Sequence, residues 1–150
     1  MTLDLYVDGA FRSKLGGRIA GAWRIIAEDG DILSQGDVAL DETTAVGRKI
    51  IAAQPPIDSV SAELVAILVG LEAVPDGSDV EILSDSEAAI DILDGKIGRR
   101  SKRHLPLAEF VLDETSRLGK ISIAHVSGSI HHAAAHDLAA LAVEKRRRTP

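Results

Sequence analysis

Leu3-Asp4-Leu5-Tyr6-Val7-Asp8-Gly9-Ala10-Phe11 is the first clear strand pattern of the chain, and the other elements can be placed relative to it. Apolar residues at positions 3, 5 and 7 alternate with others, the period-2 pattern of a strand with one face on a core. The pattern predicts a strand that ends at Asp8, where Gly9 turns the backbone and the carboxylate can reach solvent. An Asp-Gly turn without any function accounts for the same pair. Asp8 is therefore a candidate that needs support from the rest of the chain.

Length and composition predict one domain, residues 1–150, with a large aliphatic core. Aromatic residues make up only 3%, which leaves little material for stacking nucleic-acid bases. The absence of cysteine excludes disulfides, thiolate zinc sites and cysteine nucleophiles. The N-terminus lacks a basic region followed by an apolar run, and no apolar stretch reaches the ~18 residues of a membrane span. We expect a cytoplasmic protein without a membrane partner, and no feature indicates a protein partner.

The positive charges are concentrated in two short segments of an acidic chain. The net charge is −6, which ordinarily disfavours nucleic acid as a partner. Five of the 17 Lys and Arg residues nevertheless lie in 96–103 and four in 145–148. Such runs are most often solvated loops. The 96–103 segment is also a candidate for holding a phosphate backbone.

The order of patterns predicts a mixed sheet. After the first strand, the predicted strands are Ile19–Ala27, Ile32–Leu40, Asp79–Ser84 and Lys120–Val126. The predicted helices are Ser61–Val74, Ser86–Leu93, Leu105–Leu118 and about His132–Lys145, and residues 41–59 are predicted to be a loop with a short helix. Three antiparallel strands followed by alternating helices and strands are typical of a three-layer α/β domain with helices on both faces.

Four acids lie at the ends of these elements or on their apolar faces: Asp8, Glu63, Asp85 and Asp137. If the first and fourth strands are parallel neighbours, Asp8 and Asp85 emerge at the same edge of the sheet. Each acid also has a structural explanation, as a turn residue, a helix cap, a first-turn acid or a partner of a nearby base. Together they favour a site for Mg²⁺, because four close carboxylates need hard cations to offset their repulsion.

The motifs around these acids resemble those of ribonuclease H, type 1. Tyr6-Val7-Asp8-Gly9 resembles the Asp-Gly motif of the family's first strand, and Ala62-Glu63-Leu64 resembles its first-helix glutamate motif. Ile82-Leu83-Ser84-Asp85-Ser86 resembles its Asp-Ser motif, and Val126-x-Gly128 followed by Asp137-x-Ala139 resembles its final loop and last aspartate. The four motifs occur in the family's order and on the expected elements.

The resemblance implies a three-layer RNase H-like fold and a metal-dependent endonuclease that hydrolyses the RNA strand of RNA/DNA hybrids. Asp8, Glu63, Asp85 and Asp137 would be the catalytic acids and would hold two Mg²⁺ ions, with Mn²⁺ as a substitute. The hybrid is the expected partner. Its expected contacts are Lys96, Arg99, Arg100, Lys102, Arg103, Gly9 and Ser86.

One departure from the family concerns the final loop, where Ser129 follows the glycine in place of a histidine. His131 or His132 is a candidate for that catalytic role, assisting product release, or no residue fills it. His132 and His136 are four residues apart, a spacing that can hold Zn²⁺ or Ni²⁺ on a helix. No glutamate follows the first histidine as a metalloprotease requires, so we expect both to be exposed residues near the start of a helix.

Two other functions are compatible with the same fold. The chain could cleave a DNA junction or single strand, or it could be a catalytically silent module that binds nucleic acid. A family departure bears on this choice: Ser59 and Val60 stand near the position where the family often has an asparagine that contacts the ribose 2′-OH, the group that distinguishes RNA from DNA. A panel of nucleic-acid substrates distinguishes the three functions.

Overall fold

Strand β1, Thr2–Arg12, lies at the centre of a five-stranded sheet. The computed structural model describes residues 2–13, 17–96 and 98–145, and for residues 99–101 and 145 the backbone alone. The other strands are β2 Arg18–Ile26, β3 Ile32–Ala39, β4 Asp79–Ser84 and β5 Ile121–His125. The helices are α1 Ala45–Ala52, α2 Ser59–Glu72, α3 Glu87–Leu93, α4 Leu105–Thr115 and α5 Ile130–Lys145, with a 3₁₀ helix at Arg99–His104. Each helix in the described part of the chain falls short of the length and apolar character that a membrane span requires.

The strand order is β3-β2-β1-β4-β5. Strands β1, β2 and β3 pair in antiparallel fashion, whereas β4 is parallel to both β1 and β5. The predicted mixed sheet, with three antiparallel strands followed by two parallel ones, is therefore confirmed. Ser84 pairs with His125, so that β4 and β5 end together at one edge of the sheet.

Alternate residues of β1 face two different helical layers. Leu3, Leu5 and Val7 are fully buried in the main core, together with the apolar residues of α2. Ala10 packs in a smaller cluster that contains Ala139 and other residues of α5. The sheet thus has α2 on one face and α5 on the other, as the three-layer prediction requires.

Strand β1 does not end at Asp8, and Gly9 does not turn the backbone. The strand continues to Arg12, and Gly9 pairs with Gly21 of β2. The predicted strand end was wrong because Gly9 serves another purpose: a Cβ at this position would overlap the carbonyl group of Ala62 in α2. The β1–β4 pairing does end, at Tyr6. Asp8 therefore lies just beyond the end of β4, inside a strand that continues alongside β2.

Helix α2 begins two residues earlier than the pattern predicted. Asp58 is the N-cap, and its carboxylate accepts a hydrogen bond from the Ser61 backbone N–H at 2.8 Å. The predicted short helix before it forms as α1, capped by Thr44. Helix α5 likewise begins at Ile130, before the predicted start near His132.

Candidate active site

Asp8 is buried between the sheet and α5, with only 3% of the residue exposed. Its position within β1 fixes the backbone, and the Nδ1 atom of His136 in α5 lies 2.6 Å from its Oδ2 atom. Burial alone raises the pKa of Asp8. The nearby rings of His132 and His136 outweigh that effect and hold the pKa below its ordinary value of 3.8. Asp8 is thus a carboxylate that the surrounding histidines keep ionised.

Glu63 reaches the same place from the first turns of α2. Its Oε1 atom accepts a hydrogen bond from the Gly9 backbone N–H at 3.1 Å. Its Oε2 atom is buried and has no hydrogen-bond partner among the described residues. Burial, followed by the charges of Asp8 and Asp85, raises the pKa of Glu63 to about 9. Without a cation, Glu63 is therefore protonated at neutral pH.

Asp85 and His132 complete the cluster from two further elements. Asp85 directly follows β4, and its side chain is 44% exposed. The Nε2 atom of His132 lies 3.5 Å from Asp85 Oδ2 and 3.6 Å from Asp8 Oδ1. The close approach of Asp8 raises the pKa of His132 despite the opposing effect of burial, and the charge of Asp85 adds to the rise. The ring nitrogen is held between two carboxylates.

These residues fit a divalent cation. One ligand atom from each of Asp8, Asp85 and His132 can be chosen so that all three lie within 4.8 Å of one another. The carboxylate oxygens are hard donors, which suit Mg²⁺ and Mn²⁺. The buried, unpartnered Oε2 atom of Glu63 and the mutual repulsion of the acids are offset when such an ion is bound. Asp8, Asp85 and His132 could therefore hold a divalent cation.

Asp137 and His131 are two other predicted site residues, and neither belongs to the group of ligand atoms formed by Asp8, Asp85 and His132. Asp137 is exposed on α5 directly after His136, and it is not a member of the three-residue group found within the described part of the chain. The ring of His131 lies against Tyr6, with 5.2 Å between the ring centroids, and its Nδ1 atom is 3.1 Å from an Arg24 nitrogen. The roles of Asp137 and His131 stay predictions.

His136 is the residue that the sequence did not assign to the site. Its side chain is 64% exposed, yet it makes the short contact to Asp8. The expectation that His132 is also exposed was wrong, because 12% of its side chain is accessible beside the two acids. The i, i+4 spacing of the two histidines was the available signal. It places both on one side of α5, facing Asp8.

The basic segment 96–103 is anchored beside the start of α2. The Nε2 atom of His104, a buried residue, lies 3.0 Å from Oδ2 of Asp58, and Arg103 pairs with the same oxygen at 3.3 Å. Burial alone raises the pKa of Asp58, but hydrogen bonds with Ser61 and His104 hold it below its ordinary value. Asp58 also caps α2, the helix that carries Glu63. The contacts of Asp58 with Arg103 and His104 therefore connect the basic segment to a helix of the acidic cluster.

The remaining predicted nucleic-acid contacts fall into three groups. Lys96 and Lys102 are exposed, and Lys96 Nζ is 3.8 Å from Asp91. The side chains of Arg99 and Arg100 lie outside the described residues. Ser86 and Gly9 already have partners, since the Ser86 hydroxyl caps α3 and the Gly9 N–H donates to Glu63.

Comparison with solved structures identifies the fold. RNase H1 from the halophilic archaeon Halobacterium salinarum NRC-1 matches with a TM-score of 0.75 and 22% identity, over 97% of this chain and 99% of that one. The N-terminal RNase H domain of Rv2228c from Mycobacterium tuberculosis matches with a TM-score of 0.69 and 16% identity, over 95% and 99%. LC11-RNase H1 in complex with an RNA/DNA hybrid matches with a TM-score of 0.64 and 20% identity, over 97% and 99%.

No protein-family model and no curated protein sequence matches the chain. The likeness at 16–22% identity is thus one of fold, spread over almost the whole length of each chain. The predicted RNase H-like architecture is confirmed.

Proposed function

We propose that this protein is a metal-dependent endonuclease that hydrolyses the RNA strand of RNA/DNA hybrids. The observation that carries the proposal is the convergence of Asp8, Glu63 and Asp85 from three different elements of an RNase H-like fold. Carboxylates clustered at the edge of an α/β sheet are costly to bury unless they bind a cation or a substrate. Their presence here favours catalysis over a purely structural role.

Asp8, Glu63 and Asp85 are the proposed ligands of Mg²⁺ or Mn²⁺, with Asp137 as the fourth acid predicted from the sequence. Divalent ions held by these acids would supply the chemistry of the site, which is to activate a water molecule and to stabilise the leaving 3′ oxygen of a phosphodiester. The chain's own residues prepare the site. His136 holds one oxygen of Asp8, and the Gly9 N–H holds one oxygen of Glu63, so that the remaining oxygens are available to a ligand.

Charge and fold support a nucleic-acid substrate. The exposed residues Lys96 and Lys102 belong to a basic segment whose neighbour His104 contacts the N-cap of α2. A phosphate backbone that follows this segment would approach the acidic cluster, where the cations offset the repulsion between phosphate and carboxylate. One of the similar structures, LC11-RNase H1, is a complex with an RNA/DNA hybrid. That complex favours the hybrid over other nucleic acids as the substrate to test first.

The test is a panel of end-labelled substrates: an RNA/DNA hybrid, duplex RNA, duplex DNA, single-stranded DNA and a four-way DNA junction. Each is incubated with Mg²⁺ or Mn²⁺, and a parallel reaction contains a chelator. We expect cleavage of the RNA strand of the hybrid alone, and no product when the chelator is present. Preferential cleavage of the junction or of single-stranded DNA would replace the proposal with a DNA nuclease. Binding without cleavage of any substrate would replace it with a silent binding module.

A further inference from the structure

We propose that His132 is a direct ligand of the divalent cation through Nε2, so that the site discriminates in favour of Mn²⁺ over Mg²⁺ more strongly than a carboxylate site does. The inference rests on the proposed function only in taking the acidic cluster as a cation site. It adds a nitrogen donor to that site and predicts which ion the site prefers.

The position of Nε2 suits a ligand. It lies 3.6 Å from Asp8 Oδ1 and 3.5 Å from Asp85 Oδ2, almost equally far from the two oxygens. Two donor atoms bound to one ion at about 2.1 Å are separated by about 3.0 Å in octahedral and 3.4 Å in tetrahedral geometry. Small closing movements of the His132 ring and of the exposed Asp85 side chain would bring the three atoms to coordination distance.

The Nε2 atom of His132 is directed into the acidic cluster. His132 Nε2 is buried, and neither carboxylate contact has hydrogen-bond geometry, so the atom has no hydrogen-bond partner in the described part of the chain. With a proton on Nε2, the ring is attracted by both carboxylates, which lie 3.6 and 3.5 Å away. A divalent ion takes the place of that proton, and the neutral ring then offers its Nε2 lone pair to the ion beside the two carboxylate oxygens.

His136 prepares the neighbouring ligand without entering the coordination sphere. Its Nδ1 atom lies 2.6 Å from Oδ2 of Asp8, whereas the contact to His132 involves the other oxygen, Oδ1. Hydrogen bonds of this kind orient carboxylates that bind metals and are part of most such sites. His136 thus fixes the Oδ2 atom of Asp8, and the Oδ1 atom faces His132.

The nitrogen donor has a predictable effect on ion choice. Mg²⁺ is a hard cation that keeps oxygen ligands and water, whereas imidazole suits transition metals. Affinity at mixed nitrogen and oxygen sites rises from Mn²⁺ through Co²⁺. Replacing His132 by asparagine removes the nitrogen donor and offers a neutral amide oxygen, a weak ligand. The substitution should therefore weaken Mn²⁺ binding much more than Mg²⁺ binding.

The experiment uses the full chain and Mn²⁺ alone, without nucleic acid. Pulsed electron paramagnetic resonance of the bound Mn²⁺ detects magnetic coupling to a directly bonded imidazole nitrogen. Wild type should show this coupling, His132→Asn and His132→Gln should lose it, and His131→Asn is the matched control in the same helix that should keep it. Calorimetric titration should show Mn²⁺ affinity falling by about tenfold or more in His132→Asn, at least the loss caused by removing an outer-shell partner.

Four results would overturn the inference: no Mn²⁺ binding by wild type, Mn²⁺ binding without nitrogen coupling, coupling that disappears in His136→Asn but persists in His132→Asn, or equal losses of Mn²⁺ and Mg²⁺ affinity. Circular dichroism confirms that each variant is folded. The measurement is independent of nuclease activity. A protein that binds Mn²⁺ through His132 but cleaves no substrate would refute the proposed function and leave this assignment intact.

Discussion

Glu63 is a buried acid of the site whose pKa is strongly raised. Its pKa in the folded protein is about 9, against an ordinary value of 4.5, because the side chain is buried beside Asp8 and Asp85. Between these two values the folded state holds a proton that the unfolded state has released. The contribution of Glu63 to stability is therefore lost as the pH rises from about 4.5 to about 9.

The variant Glu63→Gln isolates this contribution. In metal-free protein we expect wild type to lose free energy of unfolding across that pH interval, and Glu63→Gln to lose distinctly less because the amide does not titrate. Urea denaturation at several pH values measures both slopes, and Glu109→Gln, a change at an exposed glutamate, is a control that should match wild type. Identical slopes in wild type and Glu63→Gln would show that Glu63 is already ionised in the absence of a cation.

The sequence patterns pointed to three acidic residues of the cluster but not to the histidine that contacts Asp8. Asp8, Glu63 and Asp85 could be proposed because each stands at a recognisable point of a strand or helix pattern. His136 could not, because its contact with Asp8 joins residues 128 positions apart and depends on the rotation of α5 against the sheet. No local pattern encodes that rotation.

At the scale of elements, two glycines let α2 lie close against the sheet. A Cβ at Gly9 would overlap the Ala62 carbonyl, and a Cβ at Gly21 would come within 2.6 Å of the Ala66 Cα atom. Both clashes are with helix backbone, which cannot move aside as a side chain can. The contacts fix the height of α2 above the sheet and, through Ala62, the position of Glu63.

We therefore expect Gly9→Ala and Gly21→Ala to lower the free energy of unfolding by similar amounts, about 1–3 kcal/mol each, as overpacking does. Only Gly9→Ala should also weaken Mn²⁺ binding, because it displaces the residue next to Glu63 and disturbs the Gly9 N–H bond to that carboxylate. Urea denaturation and calorimetric Mn²⁺ titration measure the two effects. Equal cation affinity in the two variants would argue against α2 as the element that positions the site.

The same glycine explains why one strand boundary was predicted wrongly. A glycine after an aspartate in a strand pattern is usually a turn, and the helix that instead requires Gly9 lies more than 50 residues further along the chain. The order of elements was easier to predict, because it depends on many residues in each segment. Local patterns cannot predict a requirement for glycine that comes from the backbone of a distant helix.

At the scale of the whole molecule, a negatively charged protein must bind a polyanion through a small part of its surface. The net charge is −6, while five basic residues lie between positions 96 and 103. Each phosphate contact releases counterions, which makes binding weaken with salt at a slope of about 0.9 per contact on logarithmic axes. The slope of hybrid affinity against salt concentration therefore measures the number of phosphate contacts that basic residues make.

The double variant Lys96→Ala/Lys102→Ala should reduce that slope by up to about 2, because both residues are exposed on the basic segment. Lys120→Ala is the matched control: this residue precedes β5 at the end of the parallel strands opposite the acidic cluster, and its removal should leave the slope unchanged. Fluorescence anisotropy of a labelled hybrid at several salt concentrations, with Ca²⁺ in place of catalytic ions, gives the slopes. An unchanged slope in the double variant would remove the basic segment from the interface.

The topology as a whole could be predicted because three strands in a row favour antiparallel neighbours and helical crossovers favour parallel ones. The edge of the sheet at which Asp8 and Asp85 lie could be predicted from that topology. The path of the basic segment did not, since its anchoring through His104 and Asp58 joins a loop to a helix cap across 46 positions.

Cleavage of an RNA/DNA hybrid by wild type and Asp8→Asn tests the central claim most directly. The initial rate on a labelled RNA strand is measured with Mn²⁺ and with Mg²⁺, and Asp113→Asn, a change at an exposed aspartate of α4, is the matched control. We predict that wild type and Asp113→Asn cut at the same rate, while Asp8→Asn cuts slower by about two orders of magnitude or more. Equal rates for wild type and Asp8→Asn, or no cleavage by wild type with either ion, would contradict the claim that these acids form a nuclease site.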